Sequence, residues 1–274
     1  MSDIYGFSAY SPAQIATQVD DIGVKKAKLP LLSLLMLGIL AGAFIGIGGM
    51  LYALVKSDPS LSFATAQIVG GMAFSLGLIL VVVAGAELFT GNNLIVMAWA
   101  DKKISLYELL RNWFVVCAAN LIGAIIIAIL VFLSGHLLMN DGAIAQQYID
   151  IADTKIALSN TEAFFRGVLC NVLVCLAVWM ALAGKTVTDK VIAIIFPITG
   201  FVAAGFEHSV ANMYFYPVAW LIQYFSIVET SEHLITLYDF MRNLLFVILG
   251  NLVGGSVFVG LVYHLIYPRN NTPT

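Results

Sequence analysis

Apolar residues run along this chain in long unbroken stretches, not at the two-residue or 3.6-residue spacing of half-buried strands and helices. Cutting the sequence at its charges leaves apolar segments from Leu31 to Val55, Pro59 to Ala100, Asn112 to Gly135, Ala163 to Gly184, Val191 to Val228 and Asn243 to Tyr267. Four have the length a helix needs to cross about 30 Å of hydrocarbon. The other two are too long. Pro59 to Ala100 holds 42 residues with Glu87 as its single ionisable acid or base, and Val191 to Val228 holds 38 with Glu207 and His208. As straight helices at 1.5 Å per residue they would run roughly 60 Å. Either each is a hairpin that crosses twice, or each crosses once and is interrupted partway.

Charge placement decides between the two. With one crossing each, Lys25, Lys26, Lys28, Lys102, Lys103, Arg111, Lys185, Lys190 and Arg269 share a side, and Lys56, Lys155, Arg166 and Arg242 face them, nine against four. With two crossings each the count is six against seven, and the excess of Lys and Arg that sets cytoplasmic orientation disappears. The expectation is therefore six crossings with both termini cytoplasmic. Trp99, Trp113, Tyr263 and Tyr267 fall at segment ends, where interfacial aromatics and simple packing explain them equally well.

Composition agrees with a membrane protein: 61% of residues are hydrophobic and 11% charged, against roughly 45–50% and about 25% in soluble domains. A cleavable secretory signal is not expected, because the first long apolar run starts only at Leu31. Cys117, Cys170 and Cys175 all lie in apolar segments, as small buried hydrophobes and not a disulfide framework. A net charge of −3 gives no reason to expect nucleic acid. Before the first span, Ser11 and Gln14 have capping-box spacing, Pro12 sits at the first helical position, and Ile15, Val19 and Ile22 share a face. The expected layout is a cytoplasmic amphipathic helix over 1–28 that lies in the membrane interface and either gates or merely anchors. A transmembrane channel domain follows over 29–268, with repeats of about 31–135 and 163–267, and a cytoplasmic tail over 269–274.

The repeats are visible in the two long segments. Gly85, Glu87 and Asn92 align without a gap with Gly205, Glu207 and Asn212, and Arg111, Asn112, Asn120 and Gly123 have the spacing of Arg242, Asn243, Asn251 and Gly254. Three crossings per half is an odd number, so the second half enters from the opposite side, the inverted-repeat plan in which discontinuous helices line a midplane site. A Gly supplies a φ > 0 break. The Glu and Asn that follow are expected to be structural, satisfying the backbone groups a break exposes. The spacing of Gly38, Gly42 and Gly46 is a helix-packing signature.

The repeat is most informative where it fails. Leu88 is matched by His208 and Thr90 by Val210. Scaffold symmetry needs neither His208 nor Thr90, and an ionisable residue at membrane depth is by default a functional candidate. His136, His233 and His264 lie at segment ends or in loops and need no such role.

These motifs resemble the formate/nitrite transporter family along nearly the whole chain. The strings that carry the resemblance are FSLGLILVVVAGAELFTGNN (Phe74 to Asn93), RNW (Arg111 to Trp113), GVLCNVLVCLAVWMA (Gly167 to Ala181), TDK (Thr188 to Lys190), GFEHSVANM (Gly205 to Met213) and LGNLVGGSVFVG (Leu249 to Gly260). They are most similar to the formate-channel branch, with the nitrite and hydrosulfide branches close behind. The resemblance implies an all-α, aquaporin-like protomer with second and fifth helices broken at mid-membrane, and five protomers in a ring, each with its own pore. It implies a bacterial inner membrane as the location. It makes His208 the central pore histidine, Thr90 a hydroxyl on the loop that interrupts the second span, Asn171 a polar partner on the fourth span, and Lys155 the base that draws anions to the mouth. Phe74, Leu78 and Phe201 would form one apolar constriction, and Leu88, Phe89 and Val174 the other.

Elementary electrostatics suits such residues to a small anion. Moving a bare carboxylate into a low-dielectric slit costs on the order of 20 kcal/mol in the idealised limit, whereas protonating an acid with a pKa of about 3.9 at pH 7 costs roughly 4 kcal/mol. A small acid should cross largely uncharged if a proton is at hand, and His208 is the side chain near the midplane that ordinarily titrates near neutrality. The alternative leaves His208 hydrogen-bonding the permeant without ever changing charge. The expected substrate is formate or a similar small monovalent anion, with nitrite, hydrosulfide, acetate or lactate as alternatives. Neither cofactor nor metal is expected: a haem would need facing axial ligands, and His208 is the one histidine deep enough. No nucleophile motif of an intramembrane protease is present, so an enzyme is not expected. A purely structural subunit would not require His208.

Overall fold

The computed structural model of the chain describes residues 8–228 and 234–267, and every regular element within them is helical. Arg269, His233 and the tail 269–274 lie outside the described residues. The helices are α1 (Pro12–Ala27), α2 (Leu31–Lys56), α3 (Phe63–Ile79), α4 (Val96–Ala100), α5 (Leu106–Leu133), α6 (Ala143–Ile156), α7 (Asn160–Ala183), α8 (Val187–Ala203), α9 (Ser209–Tyr224), α10 (Leu237–Leu252) and α11 (Val262–Ile266). Two π-helical stretches extend the long ones, Leu80–Gly85 after α3 and Val253–Leu261 between α10 and α11. Among the described residues, five continuous helices are long and apolar enough to cross a bilayer: Leu31–Lys56, Phe63–Gly85, Leu106–Leu133, Asn160–Ala183 and Leu237–Ile266. The chain is a multi-pass membrane protein.

Polar punctuation between the apolar segments starts these helices. Ser11, Ser105, Ser159, Thr186 and Thr236 each cap a helix with a reciprocal capping box to Gln14, Glu108, Glu162, Asp189 and Asp239. Each box satisfies two of the backbone N–H groups that a helix start leaves without a partner.

Glycine then decides how the helices pair. A Cβ on Gly42 would lie 1.9 Å from the Asn120 carbonyl oxygen, and one on Gly123 1.9 Å from that of Ile39, so α2 and α5 touch backbone to backbone. The second half repeats the contact: a Cβ on Gly250 would meet the Phe164 carbonyl at 2.1 Å, joining α7 to α10. Such close approach is what small residues permit where lipid and side chain are equally apolar.

The chain leaves helical geometry at two equivalent points. After the π-helical turn, Gly85 takes φ +86°, and a 3-10 turn over Gly91–Ile95 leads into α4. After α8, Gly205 takes φ +69° and α9 begins at Ser209. α8 and α9 hold 17 and 16 residues, each short of the ~20 that a crossing needs.

The N-terminal helix differs from the expectation. Its start at Ser11 and Pro12 is as read, but its apolar face packs on protein, not in a lipid interface. Ile15, Val19 and Gly23 are buried, and Gly23 sits against Ile95 and Ala98. Asp20, also on that face, is fully buried and pairs with Lys103 in the loop after α4.

Candidate functional site

Each interruption is held by the same set of residues. On the first, Lys26 Nζ lies 2.9 Å from Glu87 Oε1 and 3.0 Å from Asn92 Oδ1, and Asn92 Nδ2 donates to Glu87 Oε2 at 2.7 Å and to Asn112 Oδ1 at 3.0 Å. On the second, Lys155 Nζ lies 2.8 Å from Glu207 Oε1, and Asn212 Nδ2 donates to Glu207 Oε2 and Asn243 Oδ1, both at 2.7 Å. Asn112 and Asn243 close the sets by donating to the main-chain carbonyls of Lys26 and Lys155. Both carboxylates are buried, so each brings its counter-charge with it.

The backbone exposed at the breaks is satisfied by other residues than the sequence suggested. Asn120 Nδ2 donates to the carbonyls of Gly38 and Glu87 at 2.7 and 2.9 Å, and its Oδ1 accepts from Phe89 N at 2.9 Å. Asn251 does the same for Gly167, Glu207 and Ser209, at 2.8, 3.0 and 2.9 Å. The spacing exposed Asn120 and Asn251 as repeat partners without their task. Glu87 and Glu207 instead form ion pairs, and only their main-chain N–H groups reach across, to Leu37 O and Arg166 O at 3.1 and 3.3 Å.

Between the two breaks lies the pair that the repeat does not predict. His208 N-caps α9: its Nδ1 accepts from Ala211 N at 3.1 Å, and its Nε2 lies 2.8 Å from Thr90 Oγ1. An accepting Nδ1 carries no proton, so the neutral ring holds its proton on Nε2 and donates it to the hydroxyl. The Thr90 proton is then left to point elsewhere. Phe201 stacks on the imidazole at 5.9 Å, and Phe74 meets Phe201 edge-on at 5.8 Å.

A cavity lies at each break, and the second reaches this aromatic barrier. One, of about 350 Å³, is lined by Val19, Ile22, Lys26, Leu37, Leu78 and Glu87 among others. The second, of about 260 Å³, is lined by Phe74, Phe201, His208, Lys155, Arg166 and Glu207 among others. Phe74 and Leu78, one turn apart on α3, open to different cavities, and Leu78 shares its cavity with Leu88. Phe89 and Val174 are buried and border neither cavity.

Asn171 also borders neither. It is fully buried on α7, with Nδ2 2.7 Å from Asn93 Oδ1, 2.7 Å from the Asn251 carbonyl and 3.3 Å from the Thr90 carbonyl. Asn251 is two residues before the helix turns π-helical at Val253, where the change of hydrogen-bond register releases carbonyls for outside partners. Ser256 on that stretch bonds the Asn93 carbonyl at 3.3 Å. Asn93 and Ser256 escaped the sequence reading; their repeat positions, Met213 and Ile125, are apolar, and that mismatch was the available signal.

A family model described as "Formate/nitrite transporter" matches residues 13–265. The formate channel FocA of Escherichia coli (strain K12) is 39% identical over 97% of this chain and 97% of its own length. A probable formate transporter of Methanothermobacter thermautotrophicus is 38% identical over 96% of this chain and 98% of its own. Among solved structures, a pentameric formate channel with formate bound superposes with a TM-score of 0.82 at 40% identity, covering 87% of this chain and 98% of that one. With matches of this length and identity on top of the paired breaks and the cavity at each of them, the chain belongs to the formate/nitrite transporter family.

Proposed function

We propose that this protein is a membrane channel for formate and similar small monovalent anions, conducting in both directions, with His208 as the group that supplies and recovers a proton. The observation that carries the reading is the Thr90–His208 bond of 2.8 Å, made next to the Phe74 and Phe201 rings that line one cavity together with His208. Substrate and transport class follow the relatives, which are named as formate channels, and this family is one of transporters and not of enzymes.

In this reading the chain makes six crossings in two inverted halves. α3 with α4 is one interrupted crossing, α8 with α9 the other, and the breaks after Gly85 and Gly205 lie near mid-membrane. Both termini are cytoplasmic and the membrane is a bacterial inner membrane. The protomer is one of five identical subunits, as in the pentameric formate channel that it superposes on. Residues 29–268 form the channel domain, preceded by the 1–28 helix and followed by the 269–274 tail.

The mechanism is one of staged neutralisation. An anion reaching the barrier accepts a hydrogen bond from Thr90, whose proton is not claimed by His208. For the ring to bear a second proton, Nδ1 must release the Ala211 N–H, a cap worth about 1 kcal/mol. Protonated, the small acid passes the Phe74–Phe201 and Leu78–Leu88 constrictions uncharged. Asn171 acts here through the loop that carries Thr90, and Lys155 contributes its charge within a pair with Glu207.

Purified protein in proteoliposomes tests the proposal. Formate uptake coupled to proton uptake is expected for the wild type and is lost in His208→Phe. Undiminished coupled uptake by that variant removes His208 from the mechanism. Uptake of nitrite or hydrosulfide in preference to formate assigns the chain to another branch of the family.

A further inference from the structure

The two cavities are built from equivalent positions, yet they carry different charge. Leu37 lies eleven positions after Lys26, and Arg166 eleven positions after Lys155. The carbonyls of Leu37 and Arg166 accept the same bond, from Glu87 N and Glu207 N. Leu37 and Arg166 are therefore one position in two copies, and each lines the cavity of its own half. Where the repeat has an apolar side chain at one mouth, it has a guanidinium at the other.

The surroundings leave that guanidinium uncommitted. Lys26 and Lys155 are spent on Glu87 and Glu207, so each pair adds little net charge to its mouth. In the second cavity Lys56 lies at 5.6 Å over the Phe63 ring, and Asp150 accepts from Gln146. Arg166 donates one hydrogen bond among the described residues, from Nη1 to the Gly205 carbonyl at 3.3 Å, out of five N–H groups. Glu162, one turn earlier on α7, accepts from Ser159 N and Oγ at 2.9 and 2.7 Å and is exposed. Arg166 is partly buried beside Gly205 and shares its cavity with His208.

We infer that Arg166 is an anion-docking site at the α6 mouth, holding a small carboxylate or oxyanion next to the aromatic barrier, and that the α1 mouth has no such site. This rests on the transport reading above and replaces Lys155 with Arg166 as the group that concentrates the anion. A planar guanidinium offers paired N–H groups to two oxygens of one anion, which a lysine ammonium does not. The docking asymmetry makes the channel take up anion at lower concentration from one face than from the other.

The test is the apparent KM at each face, measured in vesicles of both orientations carrying full-length protein. Arg166→Leu, which copies Leu37, is expected to raise KM about tenfold at one face, with the maximal rate from that face rising in proportion as reversible transport requires, to leave the other face unchanged, and to flatten the ionic-strength dependence at the affected face. Arg166→Lys recovers part of the loss. Leu37→Arg lowers KM at the opposite face, a gain that misfolding cannot produce. An Arg166→Leu protein with KM unchanged at both faces, or changed equally at both, overturns the inference. Formate transport by the wild type is the separate check on the preceding reading. If nitrite is carried in its place, the same KM ratio still decides about Arg166, because the guanidinium reads charge and oxygen geometry.

Discussion

The first and second halves of this molecule hold their breaks with the same chemistry and use them differently. Lys26–Glu87–Asn92–Asn112 and Lys155–Glu207–Asn212–Asn243 are near copies, as are the backbone bonds made by Asn120 and Asn251. Against that constant frame, five positions around the Thr90 loop change from apolar or Gly to polar: Leu88 to His208, Val210 to Thr90, Gly42 to Asn171, Met213 to Asn93 and Ile125 to Ser256. All five polar residues touch one loop, Phe89 to Asn93, or its hydrogen-bonded neighbours. Symmetry builds the interruption, and the departures from it gather at the Thr90 loop, with Arg166 in place of Leu37 at the second mouth. The proposed role of His208 suits that arrangement, because two facing imidazoles would repel each other once protonated.

Making the halves more alike should therefore do damage in proportion to what the asymmetry supports. The largest effect is expected for Gly42→Asn, which gives α2 the residue that α7 carries. Its Cβ would fall 1.9 Å from the Asn120 carbonyl, forcing α2 from α5. A loss of more than about 3 kcal/mol is expected, read as a lowered thermal midpoint of the purified protein. A protein that keeps its midpoint would show that the α2–α5 contact is looser than the backbone geometry states.

Next come the two ion pairs, which sharpen the comparison because they look identical and are not equally enclosed. The Lys26 side chain is 28% exposed, that of Lys155 only 12%. Removing the carboxylate leaves Lys155 with a poorer route to water. Glu207→Ala should cost about 3 kcal/mol, and Glu87→Ala about half of that, so the two midpoints should separate. Equal losses would mean that both lysines find water.

Thr90→Val and Val210→Thr exchange a residue between halves without changing volume much. Thr90→Val leaves His208 Nε2–H without its acceptor and the anion without its donor, at a cost of about 1.5 kcal/mol. Formate flux is expected to fall about tenfold, while Val210→Thr leaves it unchanged. Equal flux in both variants would take the hydroxyl out of the pathway.

Much of this frame was legible in the sequence. Gly85 and Gly205 are conspicuous because Gly-x-Glu recurs with Asn five residues on, and both adopt the positive φ that such a break needs. The pairing of Glu87 with Lys26 was not legible, since 61 residues separate the partners and Lys26 reads as one of several basic residues ahead of a first span. The same holds for α1, whose buried Asp20 and Lys103 meet across 83 residues. A hydrophobic stripe announces that a helix will be covered, without saying whether lipid or protein covers it. Of the expected constriction residues, Phe74 and Leu78, one turn apart on α3, line different cavities, which spacing along the sequence could not show. Asn93 and Ser256 escaped because a polar residue in an apolar segment has no visible partner until a π-helical turn brings a carbonyl to it.

The smallest effect separates the two helices that carry the paired lysines. α1 starts with a full capping box, in which Ser11 N donates to Gln14 Oε1 at 2.8 Å and Gln14 N to Ser11 Oγ at 3.4 Å. α6, in the same place in the second half, starts at Gly142 with φ +83° and no side-chain cap. α1 must therefore draw its order from its own first turn and from contacts just before it, where Tyr10 N bonds the Ala183 carbonyl at 3.0 Å and Lys185 lies 4.9 Å over the Tyr10 ring. Ser11→Ala removes about 1 kcal/mol of that order, which should raise hydrogen exchange about fivefold in the first turn of α1 and leave α6 and the formate flux unchanged. If exchange rises along all of α1 and flux changes with it, the capping box is part of what seats Lys26 against Glu87, and the first half is held from its N-terminal end in a way that the second half is not.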